Sequence, residues 1–192
     1  MSAPGGFTVW LTGLSGAGKS TISGALTLEL ESRGVVIEVL DGDVVRTHLS
    51  KGLGFSREDR DTNVERIGWV AGRMTRHGAG VVVAAISPYA SARAAARAMV
   101  EPHGSFVEVW VKAPVEECAR RDVKGLYAKA LAGEIKQFTG VSDPYEAPVD
   151  PEIVVDTEVQ TPEESVTQIL EYLERAGLLP ALARASANGV GH

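Results

Sequence analysis

A lysine and a serine at the end of a run of glycines carry the first recognisable chemistry in this chain. Gly13-Leu14-Ser15-Gly16-Ala17-Gly18-Lys19-Ser20 fits G-x-x-x-x-G-K-[ST], the pattern of a loop that cradles phosphate. The glycines let the backbone curl so that its N–H groups point inward at phosphate oxygens. Lys19 supplies a mobile point charge for the outer phosphates, and the Ser20 hydroxyl suits Mg²⁺, a hard cation that takes oxygen ligands. A helix starting at the end of the loop adds the positive end of its dipole. These residues predict a bound nucleoside triphosphate.

A second group of candidates follows the next apolar run, Val35 to Leu40: Asp41-Gly42-Asp43, with Arg46 three residues on. In a parallel α/β sheet, ligands lie beyond the carboxyl ends of the strands, so both carboxylates are expected to face the same site. One could help hold Mg²⁺ through water, and the other could accept a proton from a substrate hydroxyl. Asp-Gly-Asp is also ordinary turn and helix-cap composition. The nearby phosphate loop favours the functional reading.

Arg60 and Asn63 lie three apart on a predicted helix over 57–77, so they share one face near its start. They could form a solvated polar face; beside a phosphate site they suit an anion and a base. Ser87 follows the uncharged run Gly80 to Ile86, where many phosphate-loop proteins place an acid. Arg120 and Arg121 precede a basic, glycine-dotted stretch from Lys124 to Pro148 that also contains Phe138. A long segment with little core signal reads as a mobile lid. The alternative is a disordered surface loop, against which Tyr127, Phe138 and Tyr145 argue.

The elements that must position these groups are legible in outline. Phe7 to Leu11 is apolar and β-prone, and Ile22, Ala25, Leu26 and Leu30 recur after the loop at helical spacing. Ser56 caps the 57–77 helix, whose stripe is Val64, Ile67, Ala71 and Met74. Gly80 to Ile86 reads as a central strand buried on both faces. A helix over 91–99, with Arg93 and Arg97 on one face, a strand over 106–111 and a helix over 115–121 follow. Ile153 to Asp156 is a short last strand, and Thr161-Pro162-Glu163-Glu164 opens a final helix that Gly177 ends. The expected architecture is α/β: a P-loop-type sheet of about five parallel strands with helices on both faces. A single domain spans 1–180, with the lid at about 120–149 and a disordered tail over 181–192.

Composition narrows the partners. The chain has 192 residues and a net charge of -6, which argues against nucleic acid as a main partner. Its one cysteine, Cys118, reads as a small buried apolar residue and allows no intrachain disulfide. The sequence shows neither a membrane-length apolar run nor a signal-like start, which gives the expectation of a cytoplasmic protein. The four histidines show no metal-ligand spacing with Cys118.

Taken in order, these motifs resemble the adenylylsulfate kinase family. The resemblance runs through Gly13 to Thr21, Asp41-Gly42-Asp43 with Arg46, Phe55-Ser56 with Asp59-Arg60 and Asn63, and Arg66-Ile67-Gly68. It continues through Ile86-Ser87-Pro88-Tyr89, Lys124-Gly125-Leu126-Tyr127, Gly133-Glu134-Ile135, Phe138-Thr139-Gly140 and Pro144-Tyr145-Glu146. One departure is Val123, where the family often has proline. The resemblance implies transfer of the γ-phosphoryl group of MgATP to the 3′-hydroxyl of adenylyl sulfate. It further implies that Arg46, Arg60 and Asn63 hold adenylyl sulfate, and that Phe55 and Phe138 sandwich its adenine. Ile86 and Ser87 would line the pocket, and Lys124 would reach it from the lid. It suggests a homodimer and leaves open a fusion or association with sulfate adenylyltransferase.

Phosphoryl transfer needs positioning and charge neutralisation more than covalent chemistry. Lys19, Mg²⁺ and Arg120 or Arg121 are the expected cations, with Asp43 orienting or deprotonating the acceptor hydroxyl. Bacterial members of the family are described with a phosphoserine at the position of Ser87. No histidine or carboxylate adjoins Ser87 in sequence to activate it, which favours direct transfer. The rival functions are another small P-loop kinase, acting on a nucleotide or sugar acid, and a non-catalytic adenylyl sulfate sensor. Intact Lys19, Ser20 and Asp43 count against the sensor. A GTP switch is excluded because the chain contains no Asn-Lys pair for guanine reading.

Overall fold

A computed structural model describes residues 5–122 and 124–179. Val123 and the expected tail over 181–192 lie outside the described residues. The chain builds β1 (Phe7–Thr12), α1 (Lys19–Ser32), β2 (Ile37–Asp41), α2 (Gly42–His48), α3 (Arg57–Arg76), β3 (Gly80–Ala84), α4 (Ala90–Val100), β4 (Ser105–Lys112), α5 (Val115–Arg121), α6 (Leu126–Leu131), β5 (Ile153–Asp156) and α7 (Pro162–Arg175). The strands form one five-stranded sheet in the order β2-β3-β1-β4-β5. Every neighbouring pair is parallel, with Phe7 opposite Gly80 on one side of β1 and Ser105 on the other. Among the described residues no helix is long and apolar enough to cross a membrane.

Side chains that alternate along β1 feed two cores. Phe7, Val9 and Leu11 pack with Ile22 and Leu26 of α1 and Ile169 and Leu173 of α7. Trp10 points to the other face, among Val64 and Ile67 of α3 and Ala96 of α4. Burial on both faces explains why β1 and β3 read as continuous apolar runs. At α7, Thr161 and Glu164 exchange hydrogen bonds as a full capping box with proline just inside, as the sequence predicts.

Two local readings need correction, and a third is made definite. The second strand begins at Ile37, two residues later than expected. The Val35 N–H is already used in closing the end of α1, where it donates to the Leu30 carbonyl. Asp41-Gly42-Asp43 takes the helix-cap geometry that its composition allows, with Asp41 Oδ1 accepting the Asp43 N–H at 2.9 Å as the N-cap of α2. The lid segment contains a helix, α6, that has no periodic signal because it is too short for one. Its start is held by the Asp122 carboxylate, which accepts from Tyr127 N at 3.0 Å and Ala128 N at 3.1 Å.

Candidate active site

A cleft of about 670 Å³ opens beyond the carboxyl ends of the strands, between the phosphate loop and the lid segment. The loop's shape depends on its glycines. Gly16 has φ +76°, a conformation that side chains disfavour. A Cβ on Gly13 would sit 2.3 Å from the Val111 carbonyl oxygen, so only glycine lets β1 and β4 pass that closely. Ser15, Gly16, Gly18, Ser20 and Thr21 line the cleft, whereas Leu14 and Ala17 are buried beneath it.

Lys19 also lines the cleft, 8% exposed, with its ammonium donating to the Gly13 carbonyl at 2.9 Å and the Leu14 carbonyl at 2.7 Å. Burial pulls its pKa down to about 8; the charge of Lys124 adds to this, and Asp41 and Asp43 oppose it. Ser20 donates its hydroxyl to Asp41 Oδ2 at 2.9 Å, so one carboxylate caps α2 and meets the phosphate loop at once. These two hard oxygen donors fit Mg²⁺. Among the described residues no group of three or more His, Cys, Asp or Glu side chains could hold a metal alone.

The far end of the cleft gathers the acceptor candidates. Arg60 is 7% exposed and donates to three neutral oxygens: the Phe55 carbonyl at 2.8 Å, the Thr139 hydroxyl and the Gln137 carbonyl. None of these partners neutralises its charge. Asn63, 6% exposed on the next turn of α3, has a buried Oδ1 without a partner among the described residues. A buried orphan acceptor is costly unless a ligand satisfies it. Arg46 donates to the Gly54 carbonyl at 3.0 Å and stacks 4.5 Å over the Phe55 ring. Burial, then the nearby Arg60 charge, lowers its pKa from the ordinary arginine value.

Phe55 is 60% exposed, whereas Phe138 packs edge-on against Tyr127 at 4.9 Å between ring centres; both line the cleft. Tyr127 in turn donates its hydroxyl to the Ser15 carbonyl at 2.9 Å, which ties the lid segment to the phosphate loop. Lys124 reaches across to form an ion pair with Asp43. Both side chains are more than half exposed, so the pair adds little stability. Ile86 and Ser87 form a wall. Ser87 is 2% exposed, takes φ +45°, and has its Oγ engaged by Trp10 Nε1 at 3.0 Å and the Ala85 carbonyl at 3.2 Å.

The two arginines of α5 separate. Arg121 donates to the Gly16 carbonyl at 3.3 Å and the Thr157 carbonyl at 2.6 Å, and it lines the cleft. Arg120 bonds Glu117 within the same helix, 74% exposed, and is not among the residues lining the cleft. Helical geometry makes the difference, because adjacent positions point about 100° apart. Thr157, Gln160 and Tyr127 line the cleft without having been singled out as site residues. Thr157 follows the carboxyl end of β5, so the strand-end rule that flags Asp41 would also have flagged it.

Known proteins resemble this chain over most of its length. The profile of the Adenylylsulphate kinase family matches residues 5–156. The chain belongs to the adenylylsulphate kinase family. It is 59% identical over 174 residues to an adenylyl-sulfate kinase of Rippkaea orientalis, covering 91% of this kinase and 94% of that one. It is also 59% identical over 182 residues to a probable bifunctional SAT/APS kinase of Sorangium cellulosum, covering 95% of this chain but 31% of that protein. The solved Mycobacterium tuberculosis APS kinase in complex with AMPPNP and APS superposes with a TM-score of 0.86 at 42% identity, covering 89% of this kinase and 99% of that chain.

Proposed function

We propose that this kinase transfers the γ-phosphoryl group of MgATP to the 3′-hydroxyl of adenylyl sulfate, giving ADP and 3′-phosphoadenylyl sulfate. The observation that carries this reading is one cleft with two separate anchors. The phosphate loop with Lys19 stands at one end, and the buried Arg60 and the unpartnered Asn63 oxygen stand at the other. An acceptor that is a nucleotide bearing an anionic bridge fits the second anchor: the arginines take the charge, Asn63 reads the base, and Phe55 and Phe138 cover its faces.

Both substrates are then held together, which is the main requirement of in-line transfer. Lys19 leaves its loop carbonyls for the nucleotide phosphates, and Arg121 braces the loop through the Gly16 carbonyl. Asp43 orients or deprotonates the 3′-hydroxyl once Lys124 turns to the acceptor. Ser20 and Asp41 would hold Mg²⁺, which supplies charge neutralisation at the β- and γ-phosphates.

Homodimer assembly is part of the proposal on family grounds alone. Association with sulfate adenylyltransferase is supported by the name of the Sorangium cellulosum relative. A cytoplasmic setting matches the requirement for ATP. The deciding assay is acceptor-dependent ADP release from the purified protein with adenylyl sulfate, AMP and gluconate compared, and the phosphorylated product identified by mass. Release with gluconate alone would move the chain to another small kinase; release with none would support a sensor.

A further inference from the structure

Arg93 lies outside the cleft lining, on α4, yet it is 3% exposed and uses all three nitrogens on different parts of the chain. Nε donates to Glu108 Oε1 of β4 at 2.8 Å. One terminal nitrogen donates to the Ser87 carbonyl at 2.8 Å, and the other to the Glu146 carbonyl at 2.7 Å. Ser87 is the wall residue with positive φ, and its hydroxyl is already taken by Trp10 and Ala85. Glu146 is the point where the lid segment returns to the body. Its N–H donates to the Pro88 carbonyl at 2.8 Å, and its carboxylate accepts the Ala90 N–H at 2.8 Å.

We infer that Arg93 is a positioning residue for the acceptor half of the reaction, joining the Ser87 wall to the returning end of the lid segment. A guanidinium holds its donors in a fixed planar fork, so the Ser87 and Glu146 carbonyls must keep one relative placement. An ammonium concentrates its donors on one atom and cannot span the same three acceptors. Glu108 supplies the counter-charge that makes a buried arginine tolerable here. Among the described residues Arg93 makes no hydrogen bond to the phosphate loop, whose nearest link to this wall is the Gly13 N–H on the Ile86 carbonyl at 3.4 Å, so the effect falls more on adenylyl sulfate than on ATP. This rests on the functional reading above.

The test is steady-state kinetics on Arg93→Lys and on the charge-neutral pair Arg93→Gln/Glu108→Gln. The second variant guards against misfolding from a stranded Glu108. Acceptor KM should rise about tenfold or more in both, since small misplacements far from the chemistry reach such factors, while the KM for ATP stays near that of the unaltered protein. A purely structural role would lower the active fraction, cutting kcat with both KM values unchanged, and that result overturns the inference. So does an acceptor KM that stays at the starting value. If the unaltered protein itself shows no adenylyl sulfate-dependent turnover, the functional reading fails first, and the Arg93 kinetics are not what refutes it.

Discussion

The buried indole N–H of Trp10 donates to Ser87 Oγ at 3.0 Å, and the same hydroxyl donates to the Ala85 carbonyl at 3.2 Å. A serine used as a nucleophile needs a base to take its proton. Here the proton is directed at a carbonyl and the lone pair at an indole. Direct transfer should therefore invert ATP made chiral at the γ-phosphorus. Net retention, as expected for passage through phospho-Ser87, would rule direct transfer out. Ser87→Ala should lower turnover by less than about tenfold, whereas Asp43→Asn should cost roughly 10²–10⁴-fold, the usual range for general base removal.

Lys19 gives a pH signature. Its pKa in the free protein is about 8, depressed chiefly by burial, and ATP needs the charged form. Nucleotide phosphates stabilise the ammonium and raise that pKa, so binding takes up a proton above pH 8. ATP affinity should fall as pH rises past that point, by up to about tenfold per unit, and be insensitive to this group well below it. Calorimetry at pH 9 in buffers of different ionisation enthalpy measures the uptake, and Lys19→Ala should abolish it. The same variant should lose turnover by roughly 10²–10³-fold while remaining folded.

The two phenylalanines should separate binding from stability. Phe55 is 60% exposed, so Phe55→Ala should change stability by less than about 0.5 kcal/mol. Phe138 packs on Tyr127, and Phe138→Ala should lose about 1 kcal/mol of folding stability. Both should weaken adenylyl sulfate by about 1–3 kcal/mol, the range for a base leaving an aromatic face, with ATP affected far less. Thermal melts and acceptor titrations of the two variants check this; equal losses for ATP and acceptor would reject the sandwich.

The arginines of α5 should behave differently in spite of being adjacent. Arg121→Ala removes donors to Gly16 and Thr157 and should raise the KM for ATP by roughly tenfold, as expected when a support of the site is lost. Arg120→Ala removes an exposed intrahelical pair and should leave both KM values in place. A matched pair of ATP titrations decides it, and a larger effect at Arg120 would contradict the geometry.

What could be read from residues alone followed local rules. The phosphate loop, the capping box at Thr161 and the apolar stripe of α3 each depend on neighbours within a few positions. Short α6 escaped because two turns hold too few apolar positions to reveal a period. The choice between Arg120 and Arg121 needed the rotation of α5 against the loop. The sequence placed Arg93 and Arg97 on one face of a helix and said nothing of their partners. Arg93 is buried because its partners, Ser87, Glu108 and Glu146, come from three other segments. No window of sequence contains that arrangement.

The phosphate loop is assembled from residues far apart in the order of synthesis. Gly13 packs under Val111, Gly16 lies against Cys118, and Thr157 donates its hydroxyl to the Ala17 carbonyl at 2.8 Å. A ribosome exposes residues 13–18 well before it exposes any of these supports. Until Val111, Cys118 and Thr157 have emerged, the nascent chain therefore carries the complete nucleotide signature without the contacts that support it. ATP can reward only the finished fold, because a ligand stabilises the state that binds it. The stabilisation that ATP supplies therefore falls on the fold in which β5 has joined the sheet and Thr157 has met Ala17.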